Sequence, residues 1–326
     1  MHKVMSAAKR HQWAIGITAA LFATMAWSLT FIVPSVIGDY SIFDFYLVNF
    51  SISGSLGVCF LAANTGLVRK LTAKDCLVAC WLGWIGCLGY ALALTGATIN
   101  AGPVITPAFL ALVPVVLGIA GNLRQRTASW RHLALPLTLA TAGLLMVNCN
   151  NGGSIVAARS LAVGIPLAIL AVFLWVWFGI WNHSALGKRR EMDAVVWVSL
   201  MMCGAAIGML GFLPFGLRGG LFEFPRLGLH WKSAASLYIW AALLAVLVNI
   251  AGGFAWAFAS KQLPVVLAAQ LITMEPTFGT VFGLSIRRRW PTVAEGVGMI
   301  LLVAGVVFAV QLLYGRSEKE LPSCGS

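Results

Sequence analysis

Ten apolar windows of roughly bilayer-spanning length follow one another along the chain, and nothing constrains its fold more. They are Ala14 to Ile37, Ile42 to Ala63, Leu77 to Leu94, Pro103 to Gly121, Leu133 to Val147, Leu161 to Trp181, Ala194 to Leu213, Ala235 to Phe258, Val265 to Leu284 and Val293 to Leu313. A helix needs about 20 apolar residues to cross a hydrocarbon core ~30 Å thick. Inside lipid each backbone N–H and C=O must be satisfied within the protein, so consecutive windows of this kind become helices. The fifth window is short. Only 10% of the 326 residues are charged and 60% are hydrophobic, too few polar groups to cover a soluble fold. The expected class is an all-α integral membrane protein with ten transmembrane helices.

Charge sets the expected orientation. With the N-terminus cytoplasmic, that side collects 15 Lys and Arg, among them Lys3, Lys9, Arg10, Arg69, Lys70, Lys188, Arg189 and Arg190, and the other side collects 7. The excess of positive charge inside places both termini in the cytoplasm. Most of the outer seven fall after residue 215, as expected if the chain is two five-helix halves of opposite topology. A shift of 162 residues superposes Pro114 on Pro276, Arg126 on Arg288 and Gly143 on Gly305. The division read from this is a first five-helix repeat over 1–150, a second over 151–315 and a cytoplasmic tail over 316–326. The first window is longer than the apolar core of a signal peptide and is read as retained.

Several function classes are disfavoured by what the residues do not offer. The net charge of +12 lies in short clusters between apolar runs, not in a basic stretch interleaved with aromatics, so nucleic acid is not an expected partner. The histidines are scattered over positions 2, 11, 132, 183 and 230 without an HExxH pattern, and the sequence has no Walker A motif. Neither enzyme chemistry nor a cofactor is expected. Cysteines 59, 76, 80, 87, 149, 203 and 324 form no CxxC pair and read as packing residues.

Met274-Glu275-Pro276-Thr277-Phe278, a basic turn at Arg287 to Pro291 and a final span with Gly305 find an echo in the first half. There Leu112-Val113-Pro114-Val115 is followed by a basic turn at Arg124 to Trp130 and by Gly143-Leu144-Leu145. With Trp27-Ser28 in the first span, these motifs make the chain resemble the EamA-type transporters of the drug/metabolite transporter superfamily over nearly its whole length. The resemblance implies two inverted five-helix repeats around a central cavity, exporting or exchanging small metabolites, often amino acids. One departure is plain: Arg288-Arg289 stands where Gly-Glu commonly precedes the basic turn.

The expected function is therefore a secondary transporter of small metabolites, amino acids first, working by alternating access in a bacterial inner membrane. Efflux of drugs or of other metabolites is the alternative within that class, and a membrane scaffold is the alternative outside it. The partners are a small solute and the bilayer; a homodimer is left open.

Glu275 is the expected proton-coupling residue because it lies ten residues into its span, ~15 Å deep, where a carboxyl is costly and usually functional or paired. It can equally hold a helix break with Pro276, and the residues alone leave both roles open. Trp27 shares a stripe with Ala23, Thr30 and Pro34 and sits mid-span, a wall for an apolar solute. Tyr90, Trp175, Asn249, Trp256 and Gln270 complete the expected substrate-binding set, with Tyr46 and Asn49 beside them. Gln270 and Met274, four apart, are expected on one helix face. Trp13, Trp81, Trp130, Trp181, Trp197, Trp231 and Trp290 lie near span ends and read as interfacial anchors.

Overall fold

The computed structural model describes residues 7–69, 71–110, 112–125, 130–149, 160–189 and 192–319, most of them helical. Lys3, Lys70, Arg126, the Asn150–Gly153 turn, Arg159, Arg190 and tail residues 320–326 lie outside the described residues.

Among the described residues, eight helical stretches are long and apolar enough to cross a membrane, and they reproduce eight of the ten expected windows. Helix α1 (Ala7–Ser28) is extended by a 3-10 turn at Leu29–Ile32 and a further turn at Val33–Val36. Helix α2 (Ile42–Ala63) matches its window at both ends. Helix α3 (73–110) comprises Ala73–Leu82, a π-helical segment at Gly83–Gly89 and Tyr90–Leu110. Next come α4 (Val113–Gln125), α5 (Trp130–Cys149), α6 (Leu161–Lys188) and α7 (Ala194–Arg218). Helix α8 (Trp231–Gln262) holds a second π-helical segment at Ala245–Gly252. The chain closes with α9 (Val265–Ile272), α10 (Met274–Arg287) and α11 (Val293–Lys319).

The break expected between Leu94 and Pro103 is absent: the helix runs on through Leu110. Polar side chains in that stretch fold back onto the helix instead of ending it. Thr98 Oγ1 donates to the Leu94 carbonyl at 2.9 Å and Asn100 Nδ2 to the Gly96 carbonyl at 2.8 Å. As a result the fourth and fifth windows are the two without a long crossing helix; α4 has 13 residues, and the apolar part of α5 is Ala134–Val147.

Helix starts follow local chemistry. Ser41 and Asp44 form a reciprocal capping box at the start of α2, and the Asp44 carboxylate also accepts from the backbone of Glu223 at 3.1 Å and Phe224 at 3.2 Å. That buried carboxylate ties the start of α2 to the loop after α7. Thr72 and Asp75 cap α3 in the same way, and Asp75 also pairs with Arg189 at the end of α6.

Outward faces carry Phe173, Ile207, Leu210, Phe215 and Ile300, each more than half exposed. A water-soluble surface rarely shows such apolar area, whereas lipid accepts it. Inside, α3 packs with α6, α2 with α7, α5 with α11, and α1 with the last turns of α8. Close approaches rely on small residues. A Cβ on Gly83 would lie 1.8 Å from the Met201 carbonyl, and one on Gly204 would lie 2.0 Å from that of Cys80, so α3 and α7 touch backbone to backbone.

Interfacial anchoring suits Trp81, Trp181, Trp231 and Trp290, which are exposed by 49% or more, but not Trp13 or Trp197. Trp13 packs in the central core beside α9. Trp197 is fully buried, donates its indole N–H to Asn182 Oδ1 at 2.9 Å and lies beneath the Arg189 guanidinium, so it faces α6 and not lipid.

Candidate functional site

Aromatic side chains from α1, α3, α6 and α8 meet at mid-molecule. The Trp27 ring centroid lies 5.7 Å from that of Trp175, edge to face, and 5.2 Å from that of Trp256. Trp175 in turn contacts Tyr90 at 4.6 Å and Phe178 at 5.4 Å. Both π-helical segments border this cluster and each offers a glycine to it. A Cβ on Gly86 would lie 2.1 Å from Phe178, and one on Gly252 would lie 3.1 Å from Trp27 Nε1. Such segments widen a helix by one residue and recur at functional sites.

Beside the aromatics, α2 and α8 share a polar knot. Asn249 Nδ2 donates to Asn49 Oδ1 at 2.6 Å and to Ser53 Oγ at 2.8 Å, while Asn49 Nδ2 donates to the Ala241 carbonyl at 3.0 Å. Both Asn249 amide hydrogens are thus engaged and its oxygen is left. Tyr46 and Thr95 hydroxyls are 3.3 Å apart.

Glu275 enters from a helix break. Helix α9 ends at Ile272, where the Thr273 hydroxyl donates to the Gln270 carbonyl at 2.6 Å. Helix α10 starts at Met274, so Pro276 stands in a first turn that needs no N–H from it. Among the described residues none hydrogen-bonds or ion-pairs with the Glu275 carboxyl. Because Thr273 interrupts the helix, the phase relation expected between Gln270 and Met274 does not apply.

These groups line a cavity of about 190 Å³, many times the ~10–15 Å³ that admits one water. Trp27, Tyr90, Trp175, Asn249, Trp256 and Glu275 all line it, as do Thr30, Tyr46 and Asn49. Gln270 does not; it is fully buried in α9 with neither amide atom partnered among the described residues. Phe178 and Asn182 also line the cavity and were not expected there. The sixth window stops at Trp181, whereas α6 continues to Lys188, so an amide one residue past the supposed end was passed over.

Residues 162–311 match the EamA-like transporter family. Over 321 residues the chain is 27% identical to the inner membrane protein YtfF of Escherichia coli strain K12, covering 94% of this chain and 97% of that protein. A solved crystal structure superposes with a TM-score of 0.70 at 19% identity, covering 93% of this chain and 99% of the other, and so shares its fold.

Proposed function

For a chain that is an EamA-like membrane transporter by its match over residues 162–311, we propose secondary transport of small metabolites by alternating access between two inverted five-helix repeats. The observation that carries this reading is a cavity walled by both halves of the chain and holding, among the described residues, a single carboxyl.

Pseudo-symmetry supports the repeat. The two π-helical segments begin at Gly83 and Ala245, 162 positions apart. Under the same shift Gly143 maps to Gly305 and Pro136 to Gly298, and the Gly143–Gly298 contact accordingly has a counterpart at Gly305–Pro136. The pairing of α3 with α6 is likewise matched by that of α8 with α1. The two remaining crossings fall to the region of α4 and α5. Likeness to an inner membrane protein supports the same location, and the excess of Lys and Arg on one side supports both termini in the cytoplasm.

In this mechanism Trp27, Trp175 and Trp256 contact the apolar part of the solute, Asn249 and Tyr90 its polar end, and Glu275 is the proton-sensitive element. Glu275 opens α10 at a helix break beside the cavity, and sites formed by interrupted helices recur in transporters. Gln270, away from the cavity in this conformation, has no contact role in it.

Counterflow into proteoliposomes, with and without an imposed pH gradient, tests the proposal. Saturable exchange that responds to the gradient in the parent protein, and loses that response in Glu275→Gln, is the expected result. Unchanged rate and pH dependence in Glu275→Gln removes the coupling role. No flux for any solute leaves a scaffold.

A further inference from the structure

We propose that the cavity selects a monocationic, largely apolar amine or quaternary ammonium and rejects solutes that bring a carboxylate, zwitterionic amino acids included. The inference rests on the transport reading above and narrows its substrate class.

Charge is the first ground. Glu275 is the one formally charged residue among the described residues that line the cavity; no Lys, Arg or His joins it. Three basic side chains at or just past the ends of α6, α8 and α10 are engaged elsewhere. Arg189 is committed to Asp75, Arg289 to Glu295, and Lys261 donates to the Met192 carbonyl. A carboxylate with no cation beside it in an apolar-walled cavity is stabilised when a positive charge joins it. A cationic solute supplies that charge, while a solute carboxylate adds a second negative one with no partner.

The wall is the second ground. Trp27, Trp175, Trp256 and Tyr90 are packed within 4.6–5.7 Å of one another, centroid to centroid along the chain of contacts. Clusters of this kind attract cations through the ring quadrupole, most strongly where water is excluded, and tryptophan is the best of the aromatic residues at it. The polar knot points the same way. Asn249 has both amide hydrogens engaged by Asn49 and Ser53, so the group left to a solute is an acceptor oxygen, which suits an ammonium and not a carboxylate.

Calorimetric titration of the purified full-length protein with four probes of similar shape tests this. They are phenethyltrimethylammonium, its uncharged carbon isostere, phenylalanine and phenylpropionate; the first is permanently charged and cannot cross a bilayer as a free base. The expected order is the quaternary ammonium at least tenfold tighter than each of the others in the parent protein, with that preference lost in Glu275→Gln. Equal binding of the carbon isostere overturns the proposal, because the cavity is then merely apolar. Tighter binding of phenylalanine or phenylpropionate, or no binding of any probe, overturns it too. The parent measurement needs no variant to fold. Counterflow of the same probes separates the two readings: cation binding without flux refutes transport and keeps the class, whereas saturable phenylalanine flux that the cation does not inhibit keeps transport and refutes the class.

Discussion

Gly143 of α5 and Gly298 of α11 occupy each other's side-chain space: a Cβ on Gly143 would lie 2.7 Å from the Gly298 carbonyl oxygen, and one on Gly298 would lie 2.8 Å from that of Gly143. Only hydrogen fits on both sides. Gly143→Val or Gly298→Val should therefore force α5 and α11 apart, costing about 1–3 kcal/mol as overpacking does. Lower thermal midpoints in detergent are expected for both. Gly296→Ala, where a Cβ meets nothing within 4 Å and alanine is the better helix former, should not lower the midpoint.

Trp175 is the aromatic that touches most of the cluster, reaching Trp27, Tyr90 and Phe178. Trp175→Ala is expected to raise the apparent KM for the solute about tenfold, equivalent to ~1.4 kcal/mol, with little change in expression. Trp177→Ala is the control, since Trp177 stacks on Trp181 with ring centroids 5.5 Å apart and does not line the cavity. Equal loss in both variants would mean that aromatic bulk, not the cavity wall, is being measured.

Gly252 sits where a methyl group would press on the Trp27 indole, at 3.1 Å from Nε1. The neighbour must give by only a few tenths of an ångström, so Gly252→Ala should fold normally yet displace Trp27 within the site. A several-fold weaker apparent affinity with an unchanged thermal midpoint is the outcome to look for. A lowered midpoint at unchanged affinity would show that the glycine serves helix packing alone.

Much of this arrangement was legible in hydropathy and spacing. Eight windows became long helices because a lipid-spanning helix announces itself by length and composition, and Trp27, Trp175 and Trp256 stood out because indoles away from span ends are not interfacial anchors. Other features leave no such mark. Gly83–Gly89 and Ala245–Gly252 are as apolar as their flanks, so nothing in the residues announces a π-helical segment. Trp197 looked like an anchor by position, and only its hydrogen bond to Asn182 shows that it faces inward. The break at Thr273 undid the phase argument for Gln270, because helical spacing holds only while the helix is unbroken.

Gln270 is fully buried, and neither of its amide atoms has a partner among the described residues. An unsatisfied buried polar group costs about 1–3 kcal/mol. Gln270→Leu, similar in volume and without polar atoms, is expected to raise the thermal midpoint. A fall would mean that the amide is satisfied in the protein as purified.

Two neighbouring arginines should respond with opposite signs. Arg288, at the end of α10, has φ 50° and ψ 42°, a left-handed conformation that suits glycine. A residue with a Cβ is disfavoured there by roughly 1–2 kcal/mol, so Arg288→Gly should raise the thermal midpoint, in the position where the sequence departs from the usual Gly-Glu. Arg289 is different: its guanidinium grips the Glu295 carboxylate at 2.8 and 2.6 Å, and that carboxylate also accepts from the Thr292 backbone at 2.8 Å to start α11. Glu295 is fully buried. Arg289→Ala strands a carboxylate away from water and should lower the midpoint, while Glu295→Gln, which leaves no uncompensated negative charge, should lower it less. If Arg288→Gly and Arg289→Ala instead shift the midpoint in the same direction, what matters in this turn is its positive charge and not the backbone geometry and pairing of each residue.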